Sequence, residues 1–233
     1  MKSRYLLEIS VESVEAAMAA ERGGADRIEL CSNMREGGTT PSPELMRAVR
    51  GRVGLPIYSM VRPRGGNFFY TDSELGAMRH DVGAAKEFGM DGVVLGLLGA
   101  DALVDVERTR ELVAQAAPLQ VTFHRAFDEC ADLPVALEDV IQTGAAQLLT
   151  SGGKRTAPEA FDLLRELVQI AGKRLAVMPG SGLHAGNIRE AVGKTAAREF
   201  HAGLSSVVAD PAADIGRFEA EVRKMAESLR DCD

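Results

Sequence analysis

The sequence has few cysteines, no long apolar run and no excess of basic residues, and each of these shortages excludes a class of protein. Its three cysteines, Cys31, Cys130 and Cys232, are an odd and small number, which does not suit a disulfide framework and indicates a reducing compartment. No segment approaches the roughly 18 to 20 apolar residues of a membrane span. The apolar run near the N-terminus is too short for a signal peptide. We therefore expect a cytoplasmic protein without a membrane partner.

The charge of the chain is acidic. With 27 Lys and Arg residues against 34 Asp and Glu residues, its net charge is −7 and its pI is about 5.3. A general nucleic-acid binder usually carries a basic face, so we expect no nucleic-acid partner. The 233 residues contain no Pro/Ser-rich linker and no change of composition, which predicts one domain over residues 1–233.

Short apolar runs alternate with longer helical patterns along the whole chain. The runs predict eight strands, over residues 5–10, 26–31, 56–62, 92–95, 120–124, 147–150, 174–178 and 198–201. The helical patterns cover residues 11–22, 42–50, 72–88, 101–116, 133–143, 157–171 and 184–192, with a final helix over 214–229. Such alternation is typical of a parallel sheet, and eight units in this length predict an α/β fold, a single (β/α)8 TIM barrel with an additional C-terminal helix. A doubly wound open sheet is the alternative.

A weak internal repeat favours the closed barrel. Gly24, Gly89, Gly144 and Gly193 stand near helix ends that lead into the second, fourth, sixth and eighth predicted strands. Glycine can adopt the left-handed conformation that ends a helix. Recurrence at every second strand suggests copied βαβα quarters. Similar helix–glycine–strand junctions also occur in any α/β protein, so the repeat supports the barrel without proving it.

Carboxylates are predicted inside the barrel, near the carboxyl ends of the first two strands. Side chains alternate along a strand, so if Leu7 and Ile9 face the helices, Glu8 and Ser10 face inward. The same alternation directs Glu29 and Cys31 inward from the second strand. Buried carboxylates need cationic or hydrogen-bonding partners. A structural ion-pair layer and a functional site are both open interpretations of this pattern.

Two histidines stand at strand ends, where active-site residues of such barrels lie. His124 ends the fifth strand, with Arg125 and Asp128 within one turn. His201 ends the eighth, which lies next to the first when the barrel closes. A histidine at such a place can serve as an acid, a base or a ligand. The candidate catalytic residues are Glu8, Glu29, His124, Asp128 and His201.

Two loops suit an anion. Arg62 and Arg64 follow the third strand beside two glycines, and arginine forks fit carboxylates and phosphates. Gly180-Ser181-Gly182 precedes a helix, where backbone N–H groups can face an anion. Solvated surface charges and ordinary tight turns are the alternatives. The candidate anion-binding residues are Arg62, Arg64, Arg125, Ser151, Gly180, Ser181 and Gly182.

Several motifs together resemble one family, the CutC copper homeostasis proteins. The matching segments are Leu7-Glu8-Ile9, Gly24 to Cys31, Glu36 to Ser42, Arg62-Pro63-Arg64-Gly65-Gly66, Val121 to Asp128 and Leu149-Thr150-Ser151-Gly152. The resemblance implies a (β/α) barrel, a cytoplasmic location, copper binding or trafficking, and self-association into dimers or larger homo-oligomers.

Copper is the cofactor or cargo that the resemblance implies, as Cu(I). The family's copper hypothesis rests on cysteines that end the first two strands. Cys31 matches the second of them, and a thiolate suits Cu(I). Ser10 stands at the first position, and a hydroxyl is a poor Cu(I) ligand, so paired thiolates are not available. Ser10, His124 or His201 would have to supply the neighbouring donors.

Three functional hypotheses follow. The resemblance favours a copper homeostasis protein with Cys31 as metal ligand. The charged residues and histidines favour an enzyme of isomerase, aldolase or lyase type that acts on a small anionic or polyhydroxy metabolite. A scaffold without chemistry, in which the internal carboxylates are structural, is the third.

Overall fold

The structure is a computed structural model that describes residues 4–211 and 213–232. Its eight strands are β1 (Leu6–Val11), β2 (Arg27–Leu30), β3 (Ile57–Met60), β4 (Gly92–Leu95), β5 (Gln120–Phe123), β6 (Gln147–Thr150), β7 (Ala176–Pro179) and β8 (Glu199–Ala202). Its α-helices are α1 (Val14–Gly23), α2 (Pro43–Arg50), α3 (Asp72–Glu87), α4 (Val106–Ala116), α5 (Leu133–Thr143), α6 (Phe161–Ala171), α7 (Ile188–Thr195) and α8 (Ile215–Arg230).

The strands form one parallel sheet that curls into a nearly closed barrel. Its order is β7-β6-β5-β4-β3-β2-β1-β8, so β1 pairs with both β2 and β8. Within the described residues no hydrogen-bonded ladder joins β7 to β8, although the two strands lie against each other. A Cβ on Gly180, just after β7, would lie 3.3 Å from the Cβ of His201. The predicted (β/α)8 barrel is thus confirmed over the doubly wound sheet, and α8 is the additional C-terminal helix.

The alternation of side chains along each strand creates two separate apolar regions. Leu7, Ile9 and Ile28 face outward and pack beneath the helices, in the larger of the two cores. Inside the barrel a smaller cluster contains Cys31, Tyr58, Met60 and Val94, with Met34 packed against it. The rest of the interior near β1, β2 and β8 is polar, which places the ionisable residues within the barrel.

Three predicted helices begin four or five residues later in the structure than in the sequence pattern. The pattern from residue 101 starts as a loop, in which Asp101 Oδ1 accepts from the Leu103 N–H at 3.1 Å, and α4 begins only after its cap Asp105. Residues 157–160 form a 3-10 turn before α6. The helix predicted from residue 184 begins only at Ile188, because Asn187 Oδ1 accepts a hydrogen bond from the His184 N–H at 2.9 Å. Local side-chain hydrogen bonds compete with helix formation at these places.

The helices lie outside the barrel and are of ordinary length for a globular protein. Within residues 4–211 and 213–232, none of them combines the length and the apolar composition that crossing a membrane requires.

Candidate active site at the carboxyl ends of the strands

A cavity of about 500 Å³ lies at the carboxyl ends of the strands. The side chains that line it come from both sides of the barrel and include Ser10, Glu29, Met60, Arg62, His124 and His201. Loops after β6, β7 and β8 complete it with Arg155, Ser181, Gly182 and Leu204. A partly enclosed space of this size, lined by both polar and apolar side chains, fits a small molecule.

One wall of the cavity carries a continuous chain of hydrogen bonds. Glu8 Oε1 lies 2.7 Å from Nδ1 of His201, whose Nε2 lies 2.9 Å from the Ser10 hydroxyl. Ser10 Oγ in turn donates to Glu29 Oε1 at 2.7 Å. The strand register explains the chain, because Glu8 is paired with His201 across β1–β8, and Ser10 with Glu29 across β1–β2. All four side chains are buried.

The buried end of this chain is anchored by Arg27. Its Nε donates to Glu8 Oε2, its Nη2 donates to Glu199 Oε2 at 2.8 Å, and its guanidinium lies over the Tyr58 ring at 4.6 Å. Burial raises the pKa of Glu8, but the charge of Arg27 and the hydrogen bond with His201 more than offset it and lower this pKa to about 2. Glu8 is therefore a carboxylate near neutral pH, and it orients His201.

The cavity end of the chain can hold a proton. Glu29 Oε2 is buried and has no hydrogen-bond partner in the part of the chain that the structure describes. Burial raises the pKa of Glu29, and the charge of Glu8 adds to the rise. Burial lowers the pKa of His201, but Glu29 and Glu8 more than offset this and raise it above its usual value. The two groups therefore have an increased affinity for a proton, and the charge of an ionised Glu29 is what stabilises a protonated His201.

His124 faces the cavity from β5, four strands away from β1 and therefore on the opposite side of the barrel. Its Nδ1 accepts from the Ala126 N–H at 3.2 Å, so the ring proton is on Nε2. Burial, together with the charge of Arg62, lowers the pKa of His124 to about 3. Nε2 is buried and without a partner among the described residues. His124 is thus a neutral hydrogen-bond donor in the wall of the cavity.

A glycine on β4's carboxyl side makes room for this histidine. A Cβ added to Gly96 would lie 2.5 Å from Nδ1 of His124, closer than real Cβ atoms approach. On another side the Phe68 ring packs at 5.0 Å between centroids. The imidazole is therefore held in one orientation by its surroundings.

The predicted anion-binding arginines have other partners. Arg62 lines the cavity, but its Nη1 donates to the carbonyls of Glu36 and Gly38 and its Nη2 to that of Gly66, at 2.6 to 2.9 Å. It fastens the loops after β2 and β3 together. Arg64 lies outside the cavity lining, where it pairs with Glu74 at 2.5 Å.

Asp128 and Ser151 form a separate cluster that does not line the cavity. Asp128 accepts from Thr150, from Ser151 and from the N–H of Gly153, and it pairs with Arg125 at 2.8 Å. These contacts tie the segment after β5 to the loop after β6. Arg125 itself reaches the edge of the cavity and is partly exposed.

The glycine-rich loop after β7 contributes backbone rather than charge. Ser181 and Gly182 line the cavity with φ of 74° and 72°, a left-handed pair. Ser181 Oγ donates to the carbonyl of Arg155 at 2.9 Å. Gly180 packs against Leu149 and His201, where a side chain would not fit.

Three residues of this site were not predicted from the sequence as catalytic or anion-binding residues. The sequence pointed to Ser10 only as a metal donor, whereas in the structure its hydroxyl joins His201 to Glu29 by hydrogen bonds. Arg27 stands two residues before Glu29 and so shares its inward face; this alternation could have revealed it. Arg155 lies in a loop with no pattern that points to the cavity.

Two groups of atoms could hold a metal ion. Cys31 Sγ lies 3.1 Å from Met34 Sδ, with Met60 in the same cluster, and such soft donors suit Cu(I). Burial, with the charges of Glu29 and Glu12, raises the pKa of the Cys31 thiol well above its usual range, which opposes the thiolate that copper needs.

The second group is Glu8, Glu29 and His201, each of which offers a ligand atom within 4.8 Å of the others. These are harder donors, but Arg27 already neutralises Glu8 and competes with a cation there.

The barrel, its cavity at the carboxyl ends and the ionisable groups around that cavity define a TIM-barrel protein with a candidate functional site at that face. The chain belongs to the CutC family, whose model matches residues 5–206. A CutC family protein of Chromobacterium violaceum is 50% identical over 204 residues, 88% of this chain and 83% of the relative. The human copper homeostasis protein cutC homolog is 45% identical over 202 residues, 87% of this chain and 74% of the relative.

A solved structure agrees with this assignment. The crystal structure of a CutC protein from Streptococcus agalactiae has a TM-score of 0.81 and 30% identity, and covers 85% of this chain and 98% of its own. The resemblance that the motifs predicted is therefore confirmed. The names of the relatives support copper homeostasis as the general role of the family.

Proposed function

We propose that this chain is an enzyme that performs acid–base chemistry on a small carbonyl-bearing metabolite. One observation carries the proposal: Glu29 and His124 line the same cavity, and the buried atoms Glu29 Oε2 and His124 Nε2 have no hydrogen-bond partner among the described residues. Buried polar atoms are nearly always paired in folded proteins. A bound molecule that accepts from His124 and gives up a proton to Glu29 satisfies both.

The protonation states give the two residues different roles. His124 is neutral and donates from Nε2, which suits it to polarise a carbonyl oxygen and to stabilise the negative charge that develops there. Glu29 exchanges a proton with the neighbouring carbon or hydroxyl of the bound molecule. Together these roles fit isomerase, aldolase or lyase chemistry, in which a proton leaves the position next to a carbonyl.

The surroundings of the cavity point to the substrate class. Arg125 and Arg155 stand at its edge, and Ser181, Gly182 and Ser205 add polar groups. The arginines favour an anionic group, and the hydroxyls favour a polyhydroxy chain. A volume of about 500 Å³ suits a substrate the size of a small sugar or sugar phosphate.

The test is proton exchange in D2O. The protein is incubated with three- to six-carbon hydroxy aldehydes and ketones, with and without phosphate, and 1H NMR follows the signal of the proton next to the carbonyl. We expect exchange with at least one compound, lowered by roughly 10²-fold or more in Glu29→Gln and in His124→Phe.

The exposed variant Glu138→Gln is the matched control, because Glu138 pairs with Arg174 on the surface far from the cavity, and it is expected to retain full exchange. Equal exchange by the wild type and both site variants, or no exchange with any compound, would contradict the enzyme.

A second candidate is Cu(I) binding, since the contact between Cys31 and Met34 places two soft donors together. We propose that copper, if carried, is held there by the Met34 thioether and by the Cys31 thiolate, which forms when the metal displaces the thiol proton to solvent. Binding would then be weaker at low pH, because the metal competes with a proton for the sulfur.

An anaerobic Cu(I) titration of the reduced protein against a competing chelator measures this directly. The copper hypothesis predicts a single equivalent that is lost in Cys31→Ala and weakened in Met34→Leu, with Met18→Leu, on α1, as the matched control. Binding that is indifferent to Cys31 would remove this candidate and leave the enzyme standing.

A further inference from the structure

The Ser10 hydroxyl occupies a place that the proposed acid–base roles do not by themselves require. It lies between two proton-binding groups, 2.9 Å from His201 Nε2 and 2.7 Å from Glu29 Oε1, while those two atoms are 4.0 Å apart. That separation is too long for a direct hydrogen bond, whereas both bridging distances are ordinary for one. Ser10 is thus the only direct link between these atoms among the described residues.

We propose that the Ser10 hydroxyl relays one proton between His201 and Glu29. When Glu29 accepts a proton from a bound molecule, His201 takes up the proton that Glu29 passes on, and the reverse holds when Glu29 donates. A hydroxyl suits this task because it both donates and accepts. Its use in turnover rests on the proposed enzyme function, but the relay can be tested without any substrate.

Proton uptake moves three protons, two of them along hydrogen bonds of the chain. Before it, His201 is neutral and Glu29 carries its proton on Oε1, donated to Ser10, whose own proton is donated to His201 Nε2. Glu29 Oε2 accepts a proton from the bound molecule as the Oε1 proton moves to Ser10 Oγ and the Ser10 proton moves to Nε2. Afterwards His201 is a cation, Glu29 is neutral with its proton on Oε2, and Ser10 donates to Oε1. Reversal delivers a proton.

The neighbouring groups set the charge around the relay without joining the transfer. On β1, Glu8 remains a carboxylate and stabilises the charged imidazole through Nδ1. On β2 and β8, Arg27 and Glu199 form an ion pair that is deeper in the barrel. From β2 and β3 the remaining titratable groups are Cys31 and Tyr58, and burial raises the pKa of each, so both stay neutral. β7 faces the site with Met178 and Gly180, which do not titrate.

The test is 15N NMR of the histidine rings in the whole protein. The sequence has four histidines, so His201 is identified by loss of its signal in His201→Asn. A shared proton gives Nε2 a chemical shift between those of a protonated and an unprotonated ring nitrogen, on a plateau between two titration steps that belong to the pair. We expect this plateau in the wild type.

Variants separate a relay from a merely structural serine. Ser10→Ala removes the hydroxyl and is expected to move the Nε2 shift to one extreme, while Ser10→Thr keeps a hydroxyl and is expected to restore the plateau. Glu29→Gln is expected to abolish it, since an amide does not take up the proton. Circular dichroism and thermal melting check that each variant is folded.

The relay is overturned if Nε2 stays at one extreme at every pH in the folded wild type, or if Ser10→Ala leaves the plateau unchanged. These outcomes are distinct from failure of the proposed enzyme. A plateau without proton exchange on any substrate would retain the relay and reject the enzyme function. Proton exchange without a plateau would retain the enzyme function and reject the relay.

Discussion

At the scale of single residues, the most strongly constrained group is Glu8. It is completely buried, yet it holds a charge because Arg27 and His201 both contact it. A buried pair of this kind is costly to desolvate and costly to break. Its main effect is orientation, since it selects which nitrogen of His201 faces Ser10.

The acid stability of the protein should depend on Glu8. Its pKa is lowered from 4.5 in the unfolded chain to about 2 in the folded protein, so its stabilisation is present above pH 4.5 and is lost as the pH falls toward 2. The shift corresponds to about 3 kcal/mol. Urea unfolding between pH 2 and pH 7 should show this loss in the wild type.

The Glu8→Gln variant removes the titrating group from both states and isolates its contribution. It should be less stable than the wild type at pH 7, by roughly 3 to 5 kcal/mol, because Arg27 loses a partner. The difference between the two proteins should shrink as the pH falls below 4.5. A difference that is independent of pH, or an equal effect of the surface variant Glu138→Gln, would show that Glu8 is not the cause.

For single residues, the sequence predicted which face of a strand a side chain occupies better than it predicted what that side chain contacts. The inward placement of Glu8, Ser10, Glu29 and Cys31 follows from alternation along a strand, and the structure has all four buried inside the barrel. Arg62 was expected to be available to an anion, but carbonyls of two loops occupy its Nη atoms. Those loops are remote in sequence, so no local pattern could show the contact.

At the scale of elements, the packing of α8 on α1 closes the outer layer of the barrel beside β1. Gly23 at the end of α1 lies against Val222 of α8, and a Cβ there would meet Val222 Cβ and Cγ1 at 2.8 Å and the Glu219 carbonyl at 3.0 Å. The two helices therefore approach closely because this residue has no side chain.

Substitution of Gly23 by alanine should loosen this contact. Overpacking of a filled interface typically costs about 1 to 3 kcal/mol, which exceeds the gain of roughly 0.5 to 1 kcal/mol from replacing a helical glycine. We expect Gly23→Ala to lower the midpoint of thermal unfolding. The measurement is a melting curve followed by circular dichroism.

Gly76→Ala provides the matched control. Gly76 lies within α3, and a Cβ there would have no neighbour within 4 Å, so only the helical gain remains and the melting temperature should rise. If both variants moved in the same direction, the close approach of α1 and α8 would not control stability at this position.

Elements themselves were largely predictable, because their signals are local. The predicted strand over 92–95 and helix over 133–143 coincide with β4 and α5. The predicted helix from 101 began too early, since its apolar pattern extended into a loop that Asp101 holds by a side-chain hydrogen bond. The spacing of apolar residues does not reveal that a side chain will compete with the helix for a backbone N–H.

At the scale of the whole molecule, the apolar core that stabilises the barrel and the ionisable residues of the candidate site lie on opposite faces of the sheet. The helix-covered outer core holds the strands, while the interior near β1, β2 and β8 contains the charged chain that ends at the cavity. The opposite wall, from β5, presents His124. The two proposed catalytic groups therefore line the same cavity only because the sheet curls into a barrel.

The sequence by itself determined the family, the strand and helix alternation and the inward faces of the first two strands. These depend on residue spacing within short segments, and spacing is visible in one dimension. Only the tertiary structure decided the pairing of Arg27 with Glu8 and Glu199, the Ser10 bridge, the tautomer of His124 and the engagement of Arg62. Each of these depends on strand register and on loops that meet across the barrel, and a hydrogen bond forms only where two remote atoms come within about 3 Å.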